Sequence, residues 1–156
     1  MQKSKKPVTI LMADDDAEDR KMAQEAFNES RLVNDLRFVK DGEELMDYLY
    51  QRGNYSDPET SPRPSIILLD LNMPKKDGRE SLIEIKRDPL FRTIRIIILT
   101  TSKAEEDIQR VYNLSATSYI AKPVTFEGLI DVVKALGKYW LEIVELPPNG
   151  DGTSGP

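Results

Sequence analysis

Ile66-Ile67-Leu68-Leu69-Asp70 sets four aliphatic side chains in succession and closes on a carboxylate. A strand with one wet face alternates apolar with polar residues, so an unbroken aliphatic run must be covered on both faces, as in a parallel sheet. Ile96-Ile97-Ile98-Leu99 has the same character and stops at Thr100-Thr101-Ser102. Working outward, Val8-Thr9-Ile10-Leu11-Met12-Ala13 reads as a buried strand ended by Asp14-Asp15-Asp16, Leu36 to Val39 as a short strand, and Ser118 to Ala121 as the last one before Lys122-Pro123. Between the strands lie amphipathic stretches with helical spacing. Ala17 to Ser30 places Met22, Ala23, Ala26 and Phe27 on one face, and Glu43 to Arg52 does so with Leu45, Met46 and Leu49. A helix opened by Gly78 carries Leu82, Ile83 and Ile85 and ends at Asp88-Pro89, and Lys103 to Leu114 carries Ile108, Val111 and Tyr112. Strand and helix alternate five times, which predicts an α/β layer fold.

Two segments stand outside this alternation. Gly53 to Pro64 holds three prolines with Asn54, Ser56, Asp57 and Ser61, and is predicted to be a long loop. The final helix begins near Thr125, a candidate N-cap, and repeats Phe126, Leu129, Val133, Leu136, Trp140 and Ile143 at close to heptad spacing. Residues 1–7 are expected to be a flexible tail, 8–147 one folded domain, and 148–156, rich in glycine, a disordered tail.

Composition removes much chemistry. The 156 residues contain no cysteine and no histidine, so disulfide scaffolds, thiolate or imidazole metal sites, Ser-His-Asp hydrolysis and phosphohistidine carriage are excluded. With 27 acidic against 22 basic side chains the net charge is −5, which argues against unaided nucleic-acid binding. No aliphatic run approaches the roughly 20 residues of a membrane span, and no export signal follows the lysines at 3, 5 and 6, so a cytoplasmic location is expected.

In a parallel sheet the ligand site lies beyond the carboxyl ends of the strands. Those ends carry Asp14-Asp15, Asp70, Thr100 and Lys122: three carboxylates, a hydroxyl and an ammonium. Crowded carboxylates repel unless positive charge compensates them. Oxygen donors alone favour a hard ion, and Mg²⁺ is the natural choice. Beside such an ion Asp70 could attack phosphorus, Lys122 could pair with one phosphoryl oxygen, and the Thr100 hydroxyl could donate to another. Each residue alone reads more blandly, as a solvated turn, a cap or a surface charge. It is their convergence on one edge of one sheet that argues for a site.

These residues resemble the receiver domain of two-component response regulators. Asp14-Asp15 match the family's acidic pair, Ile67-Leu68-Leu69-Asp70-Leu71-Asn72-Met73-Pro74 its phosphoacceptor segment, and Asp77-Gly78 its helix-opening turn. Thr100 matches its hydroxyl switch, Tyr119 its rotating aromatic and Lys122-Pro123 its lysine followed by proline. The resemblance implies a flavodoxin-like, doubly wound (βα)5 fold with a five-stranded parallel sheet of order 2-1-3-4-5. It also implies that Asp70 accepts a phosphoryl group from the phosphohistidine of a sensor histidine kinase. Asp15, Asp70 and the main-chain carbonyl of Asn72 would hold Mg²⁺, with Asp14 acting through water. Asn72 and Ser102 stand where the family tunes its slow self-dephosphorylation. The loop Gly53 to Pro64, the segment Lys75 to Glu80 and the ending Tyr139 to Pro147 look like the single-domain subgroup paired with bacterial phytochromes, in which Glu-Asp often replaces Asp14-Asp15.

The expected function is therefore a phosphoacceptor switch rather than an enzyme, its output a contact with another protein or transfer to a histidine phosphotransfer protein. The alternative is an Mg²⁺-dependent phosphohydrolase acting through an aspartyl-phosphate, although such enzymes generally place a second acid where Asn72 stands. The apolar stripe of the last helix predicts a homodimer through residues 125–145, with Trp140 buried.

Overall fold

The computed structural model describes residues 8–30, 34–71, 73–76, 78–100, 118–121, 123 and 125–140. In chain order they form β1 (Val8–Ala13), α1 (Ala17–Glu29), β2 (Asn34–Val39), α2 (Gly42–Tyr50), a 3-10 turn (Gly53–Tyr55), β3 (Ile66–Asp70), α3 (Gly78–Arg87), β4 (Arg95–Thr100), β5 (Ser118–Ala121) and α4 (Phe126–Trp140). The strands make one sheet in the order β2-β1-β3-β4-β5, every pairing parallel. This is the doubly wound order expected from the resemblance. The helix expected over Lys103 to Leu114 and both tails lie outside the described residues.

The backbone groups into two compact units: Met1–Arg20 with Val33–Lys122, and Lys21–Leu32 with Pro123–Pro156. The first holds the whole sheet. Its five β3 residues are all buried, which is what an aliphatic run without alternation requires. Leu11, Ala13, Ile67, Leu69, Ile96 and Ile98 share one cluster with Leu45, Met46 and Leu49 of α2 and Leu82 and Ile85 of α3. On α3 the buried positions are Gly78, Ser81, Leu82 and Ile85, while Ile83 is only half-buried. The stripe is thus centred one residue off the apolar pattern.

β2 begins two residues before the predicted Leu36, and the early start brings in Asp35, which ties the strand to β1 through Thr9 and braces Arg37 of β2 itself. Asp35 accepts from Thr9 Oγ1 at 3.1 Å and from Arg37 Nε at 2.8 Å. In the second unit, α4 opens as predicted, with Thr125 Oγ1 accepting from the Gly128 N–H at 3.0 Å. Val133 and Leu136 of α4 and Ala23, Ala26 and Phe27 of α1 are buried, whereas Phe126, Leu129 and Met22 are half-buried. The side chain of Trp140, and Ile143, lie outside the described residues.

Candidate functional site

Ala13 pairs with Leu69 in the register of β1 and β3, so the residues that follow them, Asp14 and Asp70, stand level at the same edge of adjacent strands. These two strands flank the place where the chain, having laid β2 on one side of β1, crosses to lay β3 on the other. A crevice opens at such a reversal because the connections leave on opposite faces of the sheet. The two aspartates are therefore side by side for a topological reason, although 56 positions separate them in sequence, as 70 − 14 shows.

Asp14, Asp15 and Asp70 each offer a carboxylate oxygen, and these oxygens lie within 4.8 Å of one another. Asp14 is 0% and Asp70 7% exposed, while Asp15 is open to solvent. The loop after β1 divides its labour. Asp14 Oδ1 accepts from the Asp16 N–H at 2.9 Å, and Asp16 in turn caps α1, its Oδ1 accepting from the Glu18 N–H at 2.8 Å and the Asp19 N–H at 3.3 Å. Asp15, between them, is the member of the metal-sized cluster that faces water. Arg20 returns from the first turns of α1 to donate from Nη1 to the main-chain carbonyl of Asp14 at 2.8 Å, bringing a cation to the acidic edge. No pattern in the sequence singles out Arg20, which sits where any exposed helical residue could.

The loop between β3 and α3 is fixed at both ends. The Gly78 N–H donates to the Leu71 carbonyl at 3.0 Å. A Cβ at Gly78 would stand 2.5 Å from the Asp70 carbonyl oxygen and 2.7 Å from Leu71 Cα, so only glycine lets α3 start against the backbone of Asp70 itself. Leu71 and Met73 are buried and anchor the loop from within. Lys75 takes a left-handed φ of 63° and brings its ammonium 3.9 Å from Asp41 Oδ2, and Lys76 pairs with Glu84 of α3 at 2.7 Å.

Three carboxylates at this spacing, two of them buried, repel one another and lose hydration. The arrangement calls for positive charge, and its donors are hard oxygens with one side open to water. That donor set fits a divalent cation. Of the other predicted residues, Thr100 ends β4 opposite Ala121, and Tyr119 lies on β5 opposite Ile98. The side chains of Thr100 and Tyr119, and all of Asn72 and Lys122, lie outside the described residues.

Residues 10–134 match the family described as the response regulator receiver domain. The chain belongs to that family. Response regulator Rcp1 of Synechocystis sp. is 41% identical over 144 residues, covering 92% of this chain and 96% of Rcp1. Among solved structures, the phosphorylated cyanobacterial phytochrome response regulator RcpA superposes with a TM-score of 0.78 at 40% identity, over 89% of this chain and 97% of RcpA. The Mn²⁺-bound form of Rcp1 superposes with a TM-score of 0.76 at 41% identity, over 90% and 99% of the two chains. This receiver is thus related to phytochrome response regulators and is a phosphoacceptor of two-component signalling. Receivers of this kind are phosphorylated by sensor histidine kinases. A phosphohydrolase is not favoured.

Proposed function

We propose that Asp70 is the phosphoacceptor, and that its donor is the phosphohistidine of a phytochrome-type sensor kinase in the cytoplasm. The observation that carries this reading is the meeting of Asp70 with Asp14 and Asp15 at the β1/β3 edge, their carboxylate oxygens within 4.8 Å. A carboxylate oxygen of Asp70 attacks phosphorus, the bond from phosphorus to the donor imidazole nitrogen breaks, and the nitrogen leaves with the electron pair. An acyl phosphate remains on Asp70.

Asp15, Asp70 and the main-chain carbonyl of Asn72 would hold Mg²⁺, with Asp14 acting through water. When bound, the ion supplies charge neutralisation for the oxygens of the incoming phosphoryl group. Asp14 itself stays buried and hydrogen-bonded to the Asp16 N–H, so its charge is fixed beside the acceptor and does not swing out with the loop. Lys122 would pair with a phosphoryl oxygen and the Thr100 hydroxyl would donate to another, contacts that exist only after phosphorylation. A modification shifts a two-state equilibrium by as much as it contacts one state better than the other, and these two contacts with Tyr119 would form the switch. The output would be a protein-binding face, a homodimer through residues 125–145, or return of the phosphoryl group to a histidine phosphotransfer protein. On this reading the chain is a switch with at most slow self-dephosphorylation, not a turnover enzyme.

Incubation with acetyl phosphate and Mg²⁺ tests it. The parent protein is expected to take one stable label per chain, and Asp70→Asn, nearly isosteric, to fold normally and take none. Equal labelling of Asp70→Asn would place the acceptor elsewhere, and rapid turnover of varied phosphomonoesters would return the hydrolase reading.

A further inference from the structure

We propose that Gly42 is a positioning residue for the phosphoacceptor site, holding the β3–α3 loop at the height at which its main chain can serve a divalent cation beside Asp70. This rests on the reading of Asp70 as acceptor and of that loop as a contributor to the cation site.

Gly42 is the first residue of α2 and is buried. Its φ does not lie in the left-handed region, so the backbone there does not demand glycine. Helix propensity favours almost any other residue. The reason for glycine is spatial. A Cβ at position 42 would fall on the main-chain carbonyl oxygen of Lys76, with the carbonyl carbon 2.6 Å and Lys76 Cβ 2.7 Å away. The obstacle is backbone, not the far end of a flexible side chain, so the two segments touch main chain to main chain.

Of the two, α2 is the fixed partner. Asp41 Oδ1 accepts from the Glu44 N–H at 2.8 Å while Glu44 Oε1 accepts from the Lys40 N–H at 2.7 Å, a reciprocal cap that satisfies two exposed donors. Leu45, Met46 and Leu49 then lock the helix into the core. The loop is the partner that yields, because among the described residues between Met73 and Gly78 the side-chain ties are the ion pairs of Lys75 to Asp41 and Lys76 to Glu84. The hydrogen bond from the Gly78 N–H to the Leu71 carbonyl closes the loop on the residue after Asp70, so a displacement at Lys76 bears on the segment that follows the acceptor. Outer positioning contacts of this kind commonly govern metal affinity by tenfold or more.

The test is a calorimetric titration of Mg²⁺ into parent and Gly42→Ala protein, with Gly53→Ala as control. Gly53 has a positive φ but open space around a Cβ, so it reports a generic glycine effect. For Gly42→Ala the Mg²⁺ Kd is expected to rise about tenfold, and the Mg²⁺ concentration for half-maximal labelling by acetyl phosphate to rise with it. The labelling plateau at saturating Mg²⁺ should stay within about twofold of the parent, a separation that simple loss of stability would not produce. Should Gly42→Ala fail to fold, Lys75→Ala, which loosens the same loop from its exposed side, should raise the Mg²⁺ Kd by about two- to fivefold. A parent that binds Mg²⁺ and labels, beside a folded Gly42→Ala with unchanged Kd, overturns the positioning role and leaves Asp70 as acceptor. An unfolded Gly42→Ala together with an unchanged Kd in Lys75→Ala overturns it equally. A parent that takes no label at any Mg²⁺ concentration overturns the acceptor reading itself.

Discussion

One residue type serves four ends within a few ångströms of the site. Asp14 is a fully buried acid, Asp15 an exposed one, Asp16 the cap of α1, and Asp70 the buried acid at the end of β3. The sequence shows four aspartates at two strand ends. Their separate roles come from direction, since only the fold decides which side chain points under the sheet edge and which out of it. Ser81 is the opposite case, a polar group in an apolar place. It is fully buried on the inner face of α3, and its Oγ has no hydrogen-bond partner among the described residues. An unsatisfied buried hydroxyl costs more than its deletion, and alanine is the better helix former. Ser81→Ala is expected to raise stability by about 1 kcal/mol, read as a higher urea midpoint at unchanged slope. A lower midpoint would mean that the hydroxyl has a partner after all.

Elements hold each other through few contacts, and the segment Gly53 to Pro64 shows how. Three successive carbonyls are captured from three places: that of Thr60 by Arg37 Nη1 of β2, that of Ser61 by Gln51 Nε2 at 3.2 Å, and that of Pro62 by the Tyr48 hydroxyl of α2 at 2.7 Å. Aromatic packing backs this, with Tyr48 against Tyr55 at 5.1 Å and Arg63 over the Phe91 ring at 5.2 Å. Tyr50 meets the edge of Phe91 and donates to Asp88 Oδ2 at 2.8 Å. Two phenols are pushed up to about 12, Tyr48 mainly by burial and Tyr50 mainly by its hydrogen bond to Asp88. A raised folded-state pKa gives stability that is complete below the unfolded value near 10 and is lost as pH rises through the folded value. The parent should therefore lose stability between about pH 10 and 12 more steeply than Tyr48→Phe or Tyr50→Phe. Denaturant midpoints measured across that window check it, and parallel curves would show that these phenols titrate alike folded and unfolded.

For the whole molecule, the acidic edge is a destabilising charge cluster that a bound cation relieves. A ligand that binds only the native state stabilises it in proportion to the logarithm of its concentration over Kd, about 1.4 kcal/mol at ten times Kd. Chelation with EDTA should lower the melting temperature of the parent. Asp15→Asn should melt higher than the parent when both are metal-free, because one repulsion is gone, and should lose most of its response to Mg²⁺. An identical Mg²⁺ response in Asp15→Asn would remove that residue from the cation site. Association is the other property at this scale. Sedimentation at about 100 μM, with and without beryllofluoride, should find a dimer if residues 125–145 join two copies, whereas monomer in both conditions excludes that interface.

No helix among the described residues is long and apolar enough to cross a membrane, and the sheet order is that of the (βα)5 receivers. The order came from the family resemblance, while periodicity by itself made the covered strands legible, because it reports directly on burial: an aliphatic run such as Ile66 to Leu69 has no other stable place, and an acid that ends it falls at the carboxyl edge. Missing from periodicity were the close approaches. That Gly42 is glycine for the sake of a carbonyl 34 positions away, from 76 − 42, or that Arg20 bridges back to Asp14, depends on how loops cross. Local composition alone determined which segments are strand and helix and which residue types reach the edge, since those depend on the hydrophobic pattern of neighbours. Tertiary structure alone decided which of those residues touch, since contact between distant segments is set by the order and register of the strands that carry them.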